Sequence, residues 1–552
     1  MINSILREKV HKAVKEYGLK PPSKSKIKIE LPRHKKFGDY STNIALNLAK
    51  KENKSPLATA NELVNRLSKD SLFDKVTVEK PGFINFTLSR KYLYETLQLI
   101  YSQESKYGYA PTKGNGKRVL IEFVSSNPTG PLNVVNARAA ALGESLANIL
   151  SFLGYDVEKE FFINDAGHQI DVLAESVDLE LDTLERREEE DIEERYRGEY
   201  VTDIAKKLLS KEGRNLLNLP KKARLEKIKE FAVNSILADQ KKTLEDFNVH
   251  FDSWISEIEL REKGSVEDVL AYLSETGNTY EHDNAVWFAS SKFGDEKDRV
   301  IMKSDGEVTY LVPDIAYHIT KFKRGFDKLI DIFGPDHHGH IPRLKAALKA
   351  LGYDPSIISF IILQHVNVVV DDKKIKMSKR AGNIITLREL IDEVGTDAAR
   401  FFFLMRKYNT PLDFDIELAK KTSAENPVYY VQYAHARICS LEKRALLHEM
   451  DIRNLKPEHL THLVQEEELD IMRHLLKFPD LLLHIGANYD VNLLTTYLID
   501  LAALFHRFYQ RYRIINKRAP ALSLARVYLS QATRVVLRNG LELIGIQAPE
   551  EM

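Results

Sequence analysis

The stretch from Lys117 to Tyr155 constrains this chain most. KRVLIEFV (Lys117 to Val124) is short, apolar and rich in Val, Ile and Phe, which reads as a buried strand. SSNPTGPL (Ser125 to Leu132) then sets two Pro and one Gly among small polar residues, the composition of a turn. NVVNARAAALGESLANILSFLGY (Asn133 to Tyr155) carries apolar residues at helical spacing and stops near Gly154. A strand, a turn and a helix in direct succession aim the unpaired N–H groups of the helix start beyond the sheet edge, where a phosphate would sit. VEKEFFI (Val157 to Ile163) supplies a second strand, so a right-handed βαβ unit is expected. Ligands of such sheets lie beyond the carboxyl ends of the strands. An ordinary structural α/β loop is the competing reading of this stretch taken alone.

The rest of the chain must decide. Its 552 residues leave room for about three domains, and 43% hydrophobic residues suffice for their cores. A single cysteine, Cys439, excludes a disulfide framework and a Cys-based zinc site, suits a reducing compartment, and leaves no structural metal expected. MINSILREKVHKAVKEYG alternates charge with apolar residues, and no apolar run is long enough to span a bilayer; the expectation is a cytoplasmic protein without a membrane segment. Basic and acidic residues balance at 80 each, so net charge points to no partner. Their distribution does. Leu501 to Gly540 holds eight Lys/Arg and no acid, and the first fifty residues hold twelve Lys/Arg against four acids. A solvated helical face is the plainer reading of either patch.

Residues 1–112 look like a small α/β module, in which KIKIELP follows one or two amphipathic helices and KVTVEKPGFINFTLS is strand-like, and PTKGNGK (Pro111 to Lys117) reads as a linker. Phe37, Tyr40 and Phe86 beside Arg33, Lys35 and Lys36 could stack on nucleotides, or be core. An α/β domain is expected over 117–400, interrupted at about 165–298 by a charged helical insertion that includes LERREEEDIEERYRGEY. KLIDIFG and SFIILQHV resume the parallel sheet with PRLKAALKALG as the helix between them. From about residue 413 to 552 the pattern is helical, with Tyr429, Tyr430, Tyr433, Phe505, Phe508 and Tyr509 spaced among His and Arg as core or as an RNA platform.

VNVVVDDKKIKMSKRAGNIITLRELIDEVG (Val366 to Gly395) is the second informative stretch. VNVVV and KIKMS predict a hairpin, SKRAGN a loop, and the pair Thr386 and Glu389 a capping box that starts a helix at Leu387. Lys376, Lys379 and Arg380 thus ride on a loop that can close over an anion.

KMSKR (Lys376 to Arg380) resembles the Lys-Met-Ser-Lys-Ser signature of class I aminoacyl-tRNA synthetases. AGNIITLRELIDEVGTDAARFFFL, YLVPDIAYH, KFKRGFDKLIDIFGPDHHGHIPRLKAALKALG, NPVYYVQYAHARICSL and the closing GLELIGIQAPEEM are similar to arginyl-tRNA synthetases in particular. FGDYSTNIAL and PGFINFTLS resemble that family's extra N-terminal domain, which engages the tRNA elbow. The likeness covers nearly the whole chain, in the family's order. One motif departs from it: His-x-Gly-His reads Asn133-Val134-Val135-Asn136 here. Asn donates through its amide but carries no charge, and Val135 puts a branched side chain where Gly lets adenine lie against the backbone.

The resemblance implies a Rossmann-like parallel sheet with an insertion, an N-terminal α+β domain and a C-terminal all-helical anticodon-binding bundle. It implies attack of the arginine carboxylate on the ATP α-phosphate, then transfer of the arginyl group from arginyl-adenylate to the terminal adenosine of tRNA(Arg). Lys376, Lys379, Asn133 and Asn136 would act on the reacting phosphate; Pro128, Thr129, Gly130, Val135, Met377 and Ser378 would join them around ATP, whose Mg²⁺ takes water and phosphate ligands. A guanidinium is best held by a carboxylate in a two-bond fork, and the resemblance implies Asp314 with Tyr310, Glu122, Ser125 and Asn127 for that pocket, and less strongly His337 or His338. Glu122 could instead be a structural ion pair, since a carboxylate in an apolar strand needs a partner. Phe37, Tyr40, Tyr433, Arg437, Phe505, Arg507 and Tyr509 would touch tRNA, and the protein would act as a monomer. Two alternatives stay open: a tRNA-binding or regulatory paralogue impaired at the altered helix start, and a class I synthetase of other specificity. Under the leading reading, Asn133→His is expected to be neutral or beneficial for ATP use.

Overall fold

The computed structural model describes residues 1–185, 195–370, 373–375 and 385–552. The N-terminal module comprises α1 (Ile2–Glu16), β1 (Tyr40–Thr42), α2 (Ile44–Glu52), α3 (Pro56–Leu67), β2 (Phe73–Glu79), β3 (Phe83–Leu88) and α4 (Arg90–Gln103). Its three strands pair antiparallel in the order β1-β3-β2. Ser55 and Ser89 start α3 and α4 by accepting hydrogen bonds from Ala58 N and Tyr92 N, the usual means of satisfying a helix's first donors. KIKIELP adds only a single bridge to this sheet, Glu30 to Ser41.

One turn, α5 (Pro111–Gly114), leads into β4 (Arg118–Glu122), α6 (Val134–Phe152) and β5 (Asp156–Ile163), the expected βαβ unit. The chain then leaves the sheet for α7 (His168–Leu184), α8 (Glu199–Glu212) and α9 (Lys221–Asp246), which bury Leu173, Leu181, Ile204, Leu208 and Ile228 in a core of their own. Part of LERREEEDIEERYRGEY, residues 186–194, lies outside the described residues. The stretch read as one insertion is not one body. β6 (Ser253–Ser256) rejoins the main sheet parallel to β5, and only then do α10 (Glu257–Glu262), α11 (Ser265–Glu275) and the small antiparallel sheet β7 (Thr279–His282), β8 (Ala285–Phe288) and β9 (Arg299–Met302) follow. SWIS is too short and too polar to announce a strand.

α12 (Leu311–Lys323), β10 (Lys328–Phe333), α13 (Ile341–Ala350) and β11 (Ile358–Ile362) complete a five-stranded parallel sheet of order β11-β10-β4-β5-β6. The order reverses between β4 and β10, and a sheet of this kind opens its ligand crevice at that point, beyond the strand ends. β12 (Val366–Val370) and β13 (Lys373–Ile375) form the expected hairpin, and α14 (Leu387–Val394) starts at the Thr386–Glu389 capping box. α15 (Thr396–Leu404) follows, then β14 (Leu412–Asp415), which pairs parallel to β12, and α16 (Ile416–Lys420). α17 (Pro427–Leu447), α18 (Glu466–Leu475), α19 (Phe478–Asn488), α20 (Asn492–Arg511) and α21 (Pro520–Leu543) make the C-terminal bundle. Among the described residues no helix is long and apolar enough to cross a membrane.

One apolar cluster runs through all three parts, from Leu6 and Phe86 through Ile121 and Leu146 to Leu498 and Val536. Arg400 pins the junction: its guanidinium donates to the carbonyls of Phe247 (2.8 Å), Asn248 (3.2 Å) and Ile544 (3.0 Å). Burial pushes its pKa down to about 10.

α6 lies against β4 closely enough that a Cβ on Gly143 would fall 2.3 Å from the Phe123 ring, which is itself boxed in by Phe251 at 4.4 Å between centroids. Ala favours a helix over Gly by about 1 kcal/mol, but overpacking a filled core costs about 1–3 kcal/mol. Gly143→Ala is therefore expected to lower the melting temperature by about 2 °C or more, read by circular dichroism; an increase would mean that the helix has room to withdraw.

Candidate active site

β4 ends in Glu122, and the chain turns at once. Ser125 N donates to Phe123 O (3.0 Å) across Val124, whose φ of 70° is unfavourable for a β-branched residue, and Ser125 follows at φ 39°. This strained corner fixes the Ser125 hydroxyl, which donates to Glu122 Oε1 (2.8 Å) and accepts from Phe162 N (3.2 Å). Ser125, expected to hold arginine, is thus committed to shaping the corner.

The helical unit grips the rest of the turn. Gln240, 1% exposed, donates to Gly130 O (2.9 Å) and Asn127 O (3.4 Å), and Tyr200 donates to Thr129 O (3.0 Å) with its ring against Gly130. Asn127 bonds Gln169 through its amide (2.6 Å). Pro128 is buried beside them.

α6 begins with a capping box that sequence reasoning did not foresee. Asn133 Oδ1 accepts from Val135 N (2.9 Å) and Asn136 N (3.2 Å), while Asn136 Oδ1 accepts from Asn133 N (3.0 Å). The N–H groups of Val135 and Asn136, expected to meet phosphate, are taken by the cap. Asn133 and Asn136 therefore hold each other's backbone N–H groups by their side-chain oxygens, bonds that a His at 133 would have to give up or replace. Val135 is half-buried at this start.

Four acids gather beside it. Asp331 in β10 is the register partner of Glu122 in β4. Lys321, fully buried on α12, pairs with Glu122 and donates to Asp331 Oδ1 at 2.9 Å. His318, one turn earlier, lies 2.9 Å from Asp331 Oδ2 through Nε2, while its Nδ1 bonds the backbone carbonyl of Asp314 (2.8 Å) and stands 3.2 Å from that residue's Oδ1. Asp314 Oδ2 meets His340. Burial and Lys321 press His318 down, but Asp314 and Asp331 outweigh them and raise it to about 10. Burial likewise pushes Asp314 up, and His318 and His340 overcome it, holding that carboxyl far below its usual range. For Glu122 burial wins over Lys321, and its pKa rises. Glu257, held by Arg261 at 2.7 Å, is raised by burial and by the nearby Asp165 and Asp314. The crevice is acidic by construction.

Placement of the other expected residues is mixed. Tyr310 stands at the start of α12, 69% exposed and one turn from Asp314. His337 lies flat on Phe333 (4.9 Å) and His338 is exposed; it is His340, not expected, that reaches Asp314. Glu122 has Lys321 and Ser125 on its oxygens, which is the ion-pair alternative, so it borders the pocket with its charge already partnered. His318, Lys321 and Asp331 were missed, although Asp314, His318 and Lys321 recur at helical spacing and Asp331 is an acid inside an apolar strand, as Glu122 is. Lys376, Met377, Ser378, Lys379 and Arg380 lie outside the described residues, but the chain from Thr386 onward is anchored at the helix start. Leu387 N donates to Leu132 O (2.8 Å), Thr386 bridges Asn133, and Arg138 on α6 donates to the carbonyls of Gln364 (2.9 Å), Lys407 (3.0 Å) and Thr410 (3.0 Å) at the hairpin's base.

On the bundle, Arg437 lies over Tyr433 (4.4 Å) and Tyr509 (4.9 Å), and Tyr429 stacks parallel to Tyr433 at 6.0 Å. Arg507 is exposed beside this row. Phe505, 0% exposed, is core and has no face for a base, and Tyr40, 4% exposed, is likewise core; Phe37 is half-buried under Lys36.

Known proteins share this arrangement. The family profile described as "tRNA synthetases class I (R), catalytic domain" matches residues 96–419, "Arginyl tRNA synthetase N terminal domain" residues 2–88 and "DALR anticodon binding domain" residues 431–552. The arginine–tRNA ligase of Bacillus subtilis is 43% identical over 100% of this chain and 99% of its own, and that of Thermotoga petrophila is 44% identical over 100% of each. The solved arginyl-tRNA synthetase of Thermus thermophilus superposes with a TM-score of 0.77 over 100% of both chains at 22% identity, a likeness of fold. With a class I catalytic profile over more than half its length and relatives this similar from end to end, the chain belongs to the arginyl-tRNA synthetase family.

Proposed function

We infer that this protein is an arginine–tRNA ligase, joining L-arginine to tRNA(Arg) at the expense of ATP. An arginine carboxylate oxygen attacks the α-phosphorus, expelling pyrophosphate; a ribose hydroxyl of the tRNA then attacks the carbonyl, expelling AMP. The observation that carries the reading is Asp314: a carboxylate kept ionised beside the switch point of the parallel sheet, within an acidic crevice, one helical turn from Tyr310. A guanidinium, permanently charged and planar, suits it; a lysine ammonium lacks the fork. A tRNA-binding paralogue without catalysis is not favoured by full-length identity to ligases.

In this reading Asp314 and Tyr310 hold the arginine side chain, and the turn at Asn127–Gly130 places ATP with its backbone fixed by Gln240 and Tyr200. Cations of the 376–380 string stabilise the charge that builds on phosphorus, a role supported by the Leu387–Leu132 hydrogen bond that fastens the start of α14 to the start of α6. Mg²⁺ arrives with the ATP phosphates and supplies charge neutralisation there. Among the described residues the one cluster of metal-ligand type, Glu122, His318 and Asp331, already encloses the Lys321 ammonium, so it does not fit that ion. The Tyr433, Arg437, Tyr509 and Arg507 surface faces the anticodon arm, and Phe37 with its basic neighbours faces the tRNA elbow. Work as a cytoplasmic monomer belongs to the same reading, and the buried thiol of Cys439 is at ease in a reducing compartment.

Asp314→Ala is expected to lower kcat/KM for arginine in tRNA-supported ATP–pyrophosphate exchange by about 100-fold or more, the loss of a charge-assisted pair. The Kd for tRNA(Arg) should move less than about twofold, since the residue lies away from any RNA-facing surface. Undiminished arginine activation would refute the pocket. Asn133→His removes the oxygen that caps α6; stability should fall by about 1 kcal/mol in a denaturant titration with no gain in KM for ATP. A gain in ATP use would mean that charge at this position matters more than the cap.

A further inference from the structure

Asp331 touches neither face of the crevice, yet both of its oxygens lead there. Oδ1 accepts from Lys321 Nζ at 2.9 Å, and Lys321 in turn pairs with Glu122; Oδ2 meets His318 Nε2 at 2.9 Å, and His318 Nδ1 reaches Asp314 at both its backbone carbonyl (2.8 Å) and its Oδ1 (3.2 Å). Asp331, His318 and Lys321 are each 0% exposed. We propose that Asp331 is a positioning residue for arginine selection, the hub that fixes Asp314 and Glu122 relative to each other and holds the empty pocket at one net negative charge. The proposal rests on the arginine-binding reading of Asp314.

Two observations carry it. First, stability alone does not call for a charge here. A carboxylate in the middle of a parallel sheet loses its hydration, and a packed apolar residue in place of such a buried ionic group is often neutral or stabilising. Second, the charges count correctly. Glu122, Asp314 and Asp331 as carboxylates against Lys321 and His318 as cations leave a single negative charge, which one guanidinium cancels. His318 is held charged at neutral pH by its two carboxylates. Other charged or titratable groups nearby have partners of their own: Tyr317 bonds Glu160, Glu160 pairs with Arg324, His340 meets the outer oxygen of Asp314, Glu257 is bound by Arg261, and Asp165 accepts from Ser256 Oγ (2.7 Å) and Ile258 N (3.1 Å).

Asp331→Asn keeps the shape and removes the hub's charge. With His318 still protonated the pocket is then neutral, so KM for arginine in tRNA-supported pyrophosphate exchange should rise about tenfold or more at pH 6.5, with kcat moving less. Without Asp331 the pKa of His318 falls, because burial and Lys321 both disfavour its charge; as it deprotonates, one negative charge returns and KM should recover toward pH 8.5. Wild type, whose His318 stays charged across that window, should lack this dependence. A purely structural role predicts the same loss at every pH, and that result, or an unchanged KM, would overturn the proposal. As a second comparison, His318→Asn and the double variant His318→Asn/Asp331→Asn isolate the same charge at pH 8.5. The single variant leaves two negative charges and the double variant one, so KM for arginine should be lower in the single by about threefold or more. Equal values, or the reverse order, refute the hub. Asp314→Ala serves as the reference: if it too leaves KM unchanged, the pocket reading has failed rather than the hub.

Discussion

Lys321 makes the centre of this sheet possible. Glu122 and Asp331 face each other on adjacent strands at the point where the strand order reverses, and two buried carboxylates side by side would repel and force one to protonate. An ammonium between them, brought by α12, converts the repulsion into an alternation of charge. The same helix then carries His318 and Asp314 along one face, so a single element both stabilises the acids below and presents an acid above. Pocket and sheet are therefore not separable: a change that moves α12 relative to β10 alters the charge of the crevice.

The start of α6 divides labour in another way. A helix N-terminus ordinarily offers its free N–H groups and the positive end of its dipole to an anion. Here Asn133 and Asn136 absorb two of those donors within the chain. The dipole and side chains brought from elsewhere remain for a phosphate. The hydrogen bond from Leu387 to Leu132 and the bridge between Thr386 and Asn133 fasten the start of α14 to this same helix start.

Much of this was legible in the residues. Strand, turn and helix from Lys117 to Tyr155, the hairpin at Val366 and the capping box at Thr386 were all readable, because each depends on local periodicity or on a side chain bonding its own neighbourhood. β6 was not, since a four-residue edge strand owes its existence to β5 beside it rather than to its own sequence. Tyr40 and Phe505 were offered to RNA because exposure is a tertiary property; both spacing and composition are the same for a core aromatic and a stacking one. The capping role of Asn133 went unseen for a different reason. A motif comparison asks what His would have done there, whereas the physical preference of Asn for a helix N-cap asks what Asn does. The charged chain through Asp331 was in view as isolated oddities, an acid in KLIDIF and a lysine on an apolar helix face, but their partnership spans strands distant in sequence.

Apolar burial binds the three parts of the molecule but does not fix their register, because it is nearly indifferent to small slides. Guanidinium groups supply what it lacks. Arg138 and Arg400 are both buried, both pushed down to about 10 by burial, and both spend their donors on backbone carbonyls from segments far apart in the chain. A carbonyl cannot rotate away without moving the backbone that carries it, so a planar donor set bridging several of them measures distance more strictly than any ion pair between flexible side chains. Arg138 thereby gauges α6 against the base of the hairpin, and Arg400 gauges the end of α9 against the C-terminal tail. Of the two, Arg400 is the one that ties the bundle directly to the rest, through the carbonyl of Ile544 just past α21.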